Sequence, residues 1–322
     1  MSINLDHISF TWQPITPFPK GLETVVCDNS RFIASRIEPG KGTELAISTD
    51  GINWNELPCS GFFTSFYACN GLYAAIRDKK CCYSTDLESW KEITDDPVSL
   101  KKLIWTSDEY IALCEQDCYD PHSYPHNYKQ TVIYSLQSEK KVWCKNRLEH
   151  VVNGDVFADL VYFNGEFIAV SYRDPDYARY NSSFSPEQVL YKGQTIEALE
   201  RVETEDIEFS EDSRLWTGLG KLFLWAREDK TYVIDDIWTS WQSIDYRIVD
   251  MEEADSFLIG CLSESRQGKS RKELHVSTDG VTWKPINLPD FDLGGNEIKL
   301  VYQAGRLIVT DGWHVCIGIL TR

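Results

Sequence analysis

The heptad Ser48-Thr49-Asp50-Gly51-Ile52-Asn53-Trp54 returns near the other end of the chain as Ser277-Thr278-Asp279-Gly280-Val281-Thr282-Trp283. A thinner copy, Ser84-Thr85-Asp86-Leu87-Glu88-Ser89-Trp90, lies between them. An internal repeat is the sequence signature of a repeat architecture, so it constrains the fold before any other feature does. The surroundings of each copy decide which architecture.

A second recurring pattern is a short strand of aliphatic and aromatic residues, preceded by a turn and another strand. Seven copies of this strand can be found, for example at 31–35, 165–170 and 305–310. Asn70-Gly71 and Asn164-Gly165 stand directly before two copies, and Asn-Gly is a strong signal for a two-residue hairpin. Seven copies in 322 residues give about 46 residues per unit, the spacing of a four-stranded propeller blade.

The sequence therefore predicts an all-β fold, a single seven-bladed β-propeller of four-stranded antiparallel blades over residues 1–322. The final unit lacks its fourth strand, and residues 10–15, Phe10-Thr11-Trp12-Gln13-Pro14-Ile15, can complete the last blade and close the propeller. The predicted blades span 16–58, 59–94, 95–149, 150–204, 205–245, 246–288, and 289–322 together with 8–15. Six or eight blades are the alternatives.

The heptad residues each have a structural interpretation. The Asp side chain can accept hydrogen bonds from the backbone amides of the residues that follow it. The Gly takes a backbone conformation that a Cβ atom would disfavour, and the Trp packs on the neighbouring blade. A carboxylate repeated in several blades is poorly suited to be one catalytic group. We interpret the following as structural: Ser48, Asp50, Gly51 and Trp54; Ser84, Asp86 and Trp90; Ser277, Asp279, Gly280 and Trp283.

The heptad resembles the Asp-box, or BNR repeat, of sialidase-like propellers, whose pattern is S-x-D-x-G-x-x-[WF]. The copies at 48–54 and 277–283 match well but are one residue shorter between Asp and Gly, and the copy at 84–90 is partial. The resemblance implies the propeller fold and places the ligand on the face opposite the Asp-boxes, where the loops between second and third strands lie. It leaves function open, because Asp-boxes occur in enzymes and in binding propellers.

Two features stand out on that expected ligand face. Arginines recur just beyond the second strand of four blades, and could form a cationic ring for an anionic small molecule or glycan; solvated charges at strand ends are the alternative. Two long loops, 115–129 and 171–185, are rich in tyrosine, which suits recognition of protein or sugar. The candidate ligand-binding residues are Arg36, Arg77, Arg173, Arg227, Tyr119, Tyr124, Tyr128, Tyr172, Tyr177 and Tyr180.

Catalysis and metal binding receive weaker support. Acidic runs in the loops between the fourth strand of one blade and the first strand of the next, such as 250–253, are candidates for glycosidase carboxylates. However, no nucleophile elbow, phosphate loop or dinucleotide fingerprint is present. Cys114, Cys118, His122 and His126 depart from the usual zinc spacing, and Pro121 and Pro125 interrupt them. We predict no catalytic residue, no metal and no cofactor.

Charge and targeting signals narrow the class of partner. The formal net charge of -18 disfavours nucleic acid and anionic membranes. No signal peptide pattern and no run of about 18 apolar residues is visible. We therefore expect a cytoplasmic, non-catalytic binding scaffold that docks a protein partner through the loops at 115–129 and 171–185. A sialidase-like or other glycan-active enzyme, or a glycan-binding module with a central Arg-lined pocket, is the alternative.

Overall fold

Over the residues that it describes, the computed structural model contains 28 β-strands and shows the predicted all-β fold. It describes residues 5, 8–14, 22–28, 30–38, 42–57, 63–94, 96–119, 127–137, 142–146, 148, 155–173, 189–202, 204, 207, 209–210, 212–226, 230–235, 241–266, 269–286, 288, 298–311 and 314–321. The strands in these ranges form seven antiparallel sheets of four strands each. This is the seven-bladed β-propeller expected from the repeat.

The sheets are numbered as blades 1 to 7 in the order in which their first strands occur along the chain. The N-terminal strand β1 (Ser9–Pro14) belongs to blade 7. Blades 1 to 3 comprise β2 (Leu22–Asp28), β3 (Arg31–Glu38), β4 (Gly42–Ser48) and β5 (Asn55–Leu57); β6 (Phe63–Cys69), β7 (Leu72–Arg77), β8 (Lys80–Ser84) and β9 (Lys91–Glu92); β10 (Ser99–Trp105), β11 (Glu109–Tyr119), β12 (Asn127–Gln137) and β13 (Trp143–Asn146).

The remaining blades follow the same order. They comprise β14 (Asp155–Phe163), β15 (Glu166–Arg173), β16 (Val189–Gly193) and β17 (Glu200–Val202); β18 (Arg214–Gly218), β19 (Lys221–Trp225), β20 (Thr231–Ile234) and β21 (Trp241–Ile244); β22 (Arg247–Ala254), β23 (Phe257–Arg266), β24 (Lys269–Ser277) and β25 (Lys284–Pro285); β26 (Lys299–Gln303), β27 (Arg306–Thr310) and β28 (Val315–Thr321), completed by β1.

The predicted closure by the N-terminal strand is confirmed. β1 pairs antiparallel with β28 in continuous register from Ser9 opposite Thr321 to Pro14 opposite Cys316. The hydroxyls of Ser9 and Thr321 lie 2.7 Å apart. Phe10 and Trp12 of this strand pack on the core of blades 6 and 7. Two strands from opposite ends of the chain thus complete one sheet.

Contacts divide the chain into two compact units. Unit 1 comprises Met1–Gly71, Trp216–Phe223 and Asp229–Arg322, and unit 2 comprises Leu72–Leu215 and Leu224–Glu228. Each unit has its own apolar clusters. In unit 1, Phe257, Ile259 and Leu307 are fully buried between β-sheets, and in unit 2 Ile111, Ile133 and Leu160 are fully buried.

The second strand of each blade is apolar on both faces because it lies in the middle of its sheet and is covered on both sides. In β7, five consecutive residues, Leu72 to Ile76, are buried. The turns before β7 and β15 are two-residue hairpins. Asn70 and Gly71 both have positive φ (47° and 79°), as do Asn164 and Gly165 (50° and 84°), the backbone that such hairpins need.

The three heptads adopt one hydrogen-bond pattern at the turn between third and fourth strands. The Asp50 carboxylate accepts from the backbone amides of Ile52 (2.9 Å) and Asn53 (2.7 Å), and Ser48 Oγ accepts from the amide of Gly51 (2.8 Å). Trp54 Nε1 donates to the Gly51 carbonyl (3.0 Å). The copies at 84–90 and 277–283 repeat these bonds.

Two further kinds of side chain, a threonine and an aspartate, form hydrogen bonds between neighbouring blades. Neither forms a recognisable sequence motif. A buried threonine near the start of the third strand accepts the first amides of the next blade: Thr43 binds Phe63 N (2.7 Å), Thr131 binds Phe157 N (2.6 Å) and Thr231 binds Ile248 N (3.1 Å). These bonds fix the position at which each following inner strand begins, since a buried amide without an acceptor is costly.

An aspartate on the first strand makes a similar bond across blades. Asp159 accepts from Leu215 N (2.8 Å) and from Lys102 Nζ (2.8 Å), both within unit 2. Within unit 1, Asp250 accepts from Leu300 N (2.7 Å). Each carboxylate follows a register shift in its strand, so the β-bulge turns the side chain toward the neighbouring blade.

Replacing Gly51 should cost more than replacing Gly71. Both residues have positive φ (70° and 79°), so alanine costs about 1–2 kcal/mol of backbone strain at either site. At Gly51 the added Cβ would lie 2.4 Å from Ile317 Cδ1, whereas nothing lies within 4 Å at Gly71. We expect Gly51→Ala to lose about 1–3 kcal/mol more than Gly71→Ala in urea unfolding, through overpacking. Equal losses would show that the heptad turn does not contact blade 7 tightly.

The Asp86→Ala variant should show a pH-dependent loss of stability. Hydrogen bonds from the Ser89 and Glu88 amides and the Ser84 hydroxyl lower the pKa of Asp86 to about 2. An aspartate in the unfolded chain titrates near about 3.9, so its stabilising effect is complete above that pH and is lost as the pH falls through 2. The Tm difference from wild type should therefore shrink between about pH 5 and about pH 2. Glu88→Ala, an exposed neighbour, is the control, and a pH-independent difference for Asp86→Ala contradicts the assignment.

Candidate binding surface

One surface feature of unit 2 is a two-stranded extension of blade 3. β11 and β12 pair without interruption from Glu109 opposite Gln137 to Tyr119 opposite Asn127. The adjacent strand β10 pairs with β11 only as far as Ser99 opposite Glu115, and β13 pairs with β12 only from Ile133 to Leu136. We call the extension, residues 116–119 and 127–130, the ribbon.

The ribbon corrects the expectation of a long loop at 115–129. Residues 115–119 and 127–129 are strand, because an extended pair satisfies its own backbone groups where a free loop would not. Residues 120–126, which include Tyr124, lie outside the described residues. In the second predicted loop, 171–173 also belong to a strand, β15, and 174–188, with Tyr177 and Tyr180, lie outside the described residues.

The two faces of the ribbon differ in chemistry. Side chains alternate along paired strands, so Glu115, Asp117 and Tyr119 share a face with Lys129 opposite Asp117. Gln116 and Cys118 occupy the other face with Tyr128 and Gln130, and Cys118 Sγ lies 3.5 Å from Gln130 Oε1. The two tyrosines therefore face opposite sides, and Tyr119 is the more accessible, with 67% of its surface exposed.

A charged cluster stands at the base of the Tyr119 face. Glu115 is buried, and its carboxylate lies 3.3 Å from Lys101 Nζ and 3.1 Å from Lys129 Nζ. The hydroxyl of buried Tyr172, from blade 4, lies 3.5 Å from the same carboxylate. The Lys101 and Lys129 side chains are 41% and 40% exposed, respectively. The cluster thus links the base of the ribbon to blade 4 through Tyr172. The partly exposed ammonium groups of Lys101 and Lys129 give this part of the surface positive charge.

Sequence reasoning identified part of this surface and missed the rest. Tyr119, Tyr128 and Tyr172 were candidates, and the structure places Tyr119 and Tyr172 on the same side of the ribbon through Glu115. Lys101 and Glu115 were not candidates, since they are 14 residues apart and lie on different strands. Strand pairing makes them neighbours, and no local pattern signals it.

The two candidate arginines whose side chains the structure describes, Arg36 and Arg77, each contact a residue of their own hairpin. In unit 1, Arg36 Nε donates to Glu44 Oε2 (2.6 Å), its cross-strand partner in the β3–β4 hairpin. In unit 2, Arg77 acts on Cys82 of its own hairpin through a hydrogen bond. Arg173 ends β15, and Arg227 lies outside the described residues. Pairing within hairpins favours the strand-end interpretation for Arg36 and Arg77.

The acidic run at 250–253, expected in a loop, lies in the inner strand β22 of blade 6. Burial raises the pKa of Asp250, although Lys299 and the amide of Leu300 act in the opposite direction. The pKa of Glu252 lies well above its usual range, because burial and then the charge of Asp250 disfavour its anion. Glu252 in turn helps to raise the pKa of the Cys27 thiol to about 12, after burial as the main cause.

The cysteine and histidine pattern at 114–126 provides no metal site among the described residues. Cys114 is buried in β11, and Cys118 lies on the Tyr128 face of the ribbon. His122 and His126 lie outside the described residues. Across the part of the chain that the structure describes, no group of three or more His, Cys, Asp or Glu side chains could hold a metal ion. Nor, within that part, is any helix long and apolar enough to cross a membrane.

Comparison with known proteins gives structural matches alone. No protein-family profile matches the sequence, and no curated protein sequence does. The solved structure of YCF48 bound to D1 peptide is 15% identical with a TM-score of 0.58, covering 99% of this chain and 97% of that one. The β-propeller domain of the trilobed protease from Pyrococcus furiosus is 11% identical with a TM-score of 0.58, covering 90% of each. They share the fold.

A third match is the acylaminoacyl peptidase of Pyrococcus horikoshii, with 11% identity and a TM-score of 0.57. The match covers 93% of this chain but 50% of that one, so the present chain spans about half the length of the peptidase. At such identities the likeness establishes the propeller and carries no activity with it. The Asp-box resemblance of the heptads stays a prediction from motif.

Glu252→Gln should stabilise the protein at neutral pH. A carboxyl group whose folded pKa is raised costs nothing below its unfolded value, near about 4.3, and increasingly destabilises as the pH rises toward the folded value. Glutamine has nearly the same shape as glutamate but does not ionise, so it avoids this loss of stability. We expect a higher Tm for Glu252→Gln at about pH 7 and no difference at about pH 4. The exposed neighbour variant Glu253→Gln is the control, and a lower Tm at neutral pH would show that the Glu252 anion is stabilised in the fold.

Proposed function

We propose that this protein is a non-catalytic binding propeller whose ribbon docks a protein or peptide partner. The observation that carries the proposal is the projection of paired strands beyond blade 3, bearing exposed Tyr119 beside the Lys101–Glu115–Lys129 cluster. Tyrosine supplies a large contact area at low entropic cost, and interface hot spots are enriched in it. Binding residues in proteins commonly lie on segments that project from a rigid scaffold.

Three supports come from different sources. The Glu115 cluster and the Thr131 bond to Phe157 N anchor the ribbon base to blade 4, so the surface is preorganised and loses little entropy on binding. A propeller of the same fold, YCF48, is known with a bound peptide. The net charge of -18 disfavours nucleic acid and anionic lipid as partners.

Membership of the Asp-box propellers is part of the same proposal. Three heptads repeat one set of turn bonds, with Asp accepting two amides and Trp donating to the residue after Asp. We also propose a cytoplasmic location, on the basis of the sequence arguments above. Within that class we propose that the chain is a binding member, and the contacts of Arg36 and Arg77 within their own hairpins support this proposal.

Tyr119→Ala should weaken binding of peptides selected against the protein. Peptides are selected from a displayed random library on the whole chain, and their Kd is measured by fluorescence anisotropy. Loss of a central aromatic contact costs about 1–2 kcal/mol, so we expect Kd to rise about five- to thirtyfold. The Tm should stay unchanged because the side chain is exposed.

Val142→Ala is the matched control. Val142 is the other large exposed apolar residue of the described chain, 60% exposed, and lies outside the ribbon. Its replacement should leave Kd unaltered. If selected peptides bind wild type and Tyr119→Ala equally, or no peptide is selected, the proposed docking surface is wrong.

A further inference from the structure

Blade 6, within unit 1, also has a pair of strands that continues beyond the rest of its sheet. β23 and β24 stay paired up to Arg266 opposite Lys269. β22 pairs with β23 no further than Ser263. We call the continuation, residues 264–266 and 269–271, the blade 6 hairpin; the two residues that connect its strands lie outside the described residues.

The blade 6 hairpin is rich in positive charge. Residues 264–272 read ESRQGKSRK, with four cations and one anion, in a chain whose formal net charge is -18. A chain this acidic does not need a cluster of cations for solubility, because its net charge already keeps molecules apart. The cluster therefore suggests a specific role for the hairpin. Its cations are Arg266, Lys269, Arg271 and Lys272.

Strand pairing places two of these cations directly opposite each other. Arg266 pairs with Lys269, whereas Glu264 pairs with Arg271. Like charges directly opposite each other destabilise a pair of strands, and opposite charges stabilise it. The Glu264 pair therefore supports the hairpin, while the Arg266 pair opposes it. A bound anion would relieve this repulsion, so the end of the hairpin has the charge arrangement of an anion-binding site.

The charge of the whole chain limits which anion can bind there. Electrostatic interactions in solution are screened over about 8 Å at physiological ionic strength. A short acidic peptide segment can thus interact mainly with the hairpin, whereas a long nucleic acid or an anionic membrane would also approach the acidic remainder of the molecule. Carboxylates also suit Arg266, because a guanidinium group can bind both oxygens of one carboxylate.

We propose that the blade 6 hairpin binds an acidic segment of a partner protein, with Arg266 and Lys269 as the residues that recognise its carboxylates. This second surface goes beyond the proposed function, since it belongs to a different blade from the ribbon and does not depend on Tyr119. A second copy of the chain is disfavoured as the source of the segment, because two molecules of charge -18 repel each other.

Fluorescence anisotropy with a labelled peptide of alternating Glu and Gly tests the proposal on the whole chain. The peptide should bind, and more weakly as the salt concentration rises, whereas its Gln-Gly counterpart should not bind. Arg266→Gln/Lys269→Gln should raise Kd about five- to tenfold. The matched control, Lys79→Gln/Lys91→Gln, removes the same charge from exposed positions of blade 2 and should change Kd little.

Arg266→Glu separates binding from stability. This variant places opposite charges at 266 and 269, so its Tm should not fall below that of wild type. Its Kd for the Glu-Gly peptide should nevertheless rise at least as much as in the double variant, because the change in charge is the same. No binding to wild type, an unchanged Kd in Arg266→Glu, or an equal loss in the blade 2 control would each overturn the proposal.

Other occupants of the hairpin are tested with the same variants. The probes are vesicles containing phosphatidylserine, a single-stranded RNA, and the protein itself at increasing concentration in sedimentation. Vesicles or RNA that bind more tightly than the peptide and lose affinity in Arg266→Glu would overturn the proposal, as would self-association that Arg266→Glu abolishes. Each of these results would leave Tyr119-dependent docking at the ribbon unaffected.

Discussion

The structure depends on covering both apolar faces of every four-stranded sheet. The middle strands are buried on both sides, as in β7 and β27, so no blade is stable alone and each needs a neighbour on either face. Hydrophobic packing supplies the attraction but little direction. The direction comes from buried polar side chains that reach across: Thr131 to Phe157 N, and Asp159 to Leu215 N. Each bond removes an unsatisfied amide and fixes the register between blades.

The carboxylates of this chain illustrate how environment assigns roles to chemically identical groups. Asp50 and Asp86 lie near solvent and accept amides in tight turns, which stabilises their anions. Asp159 forms an ion pair with Lys102 and accepts a hydrogen bond from the amide of Leu215, and so connects neighbouring blades. Glu252 is half-buried, and loss of hydration, followed by the charge of Asp250, raises its pKa despite the opposing charge of Lys299. Of these four carboxylates, Glu252 is the one that we expect to make the fold less stable at neutral pH, and the rest of the core offsets that cost.

The proposed function rests on a local extension of one blade. In blade 3, β11 and β12 run on beyond the last residue that pairs with β10. The Glu115 cluster then fixes the base of the extension to blade 4. The sheets provide rigidity, and the extension presents an exposed aromatic residue, Tyr119. Proteins that share one fold can bind different partners because local segments differ while the scaffold stays the same.

The sequence by itself determined the blade number, the hairpin turns and the strand that completes blade 7, because period, Asn-Gly pairs and alternating apolar residues are local properties of the chain. It also identified Tyr119 and Tyr172 as surface candidates. Only the tertiary structure decided that residues 115–119 are strand, and that Lys101 and Lys129 meet at Glu115. Those outcomes depend on which segments become neighbours in space, and a one-residue change of register would have separated the same side chains.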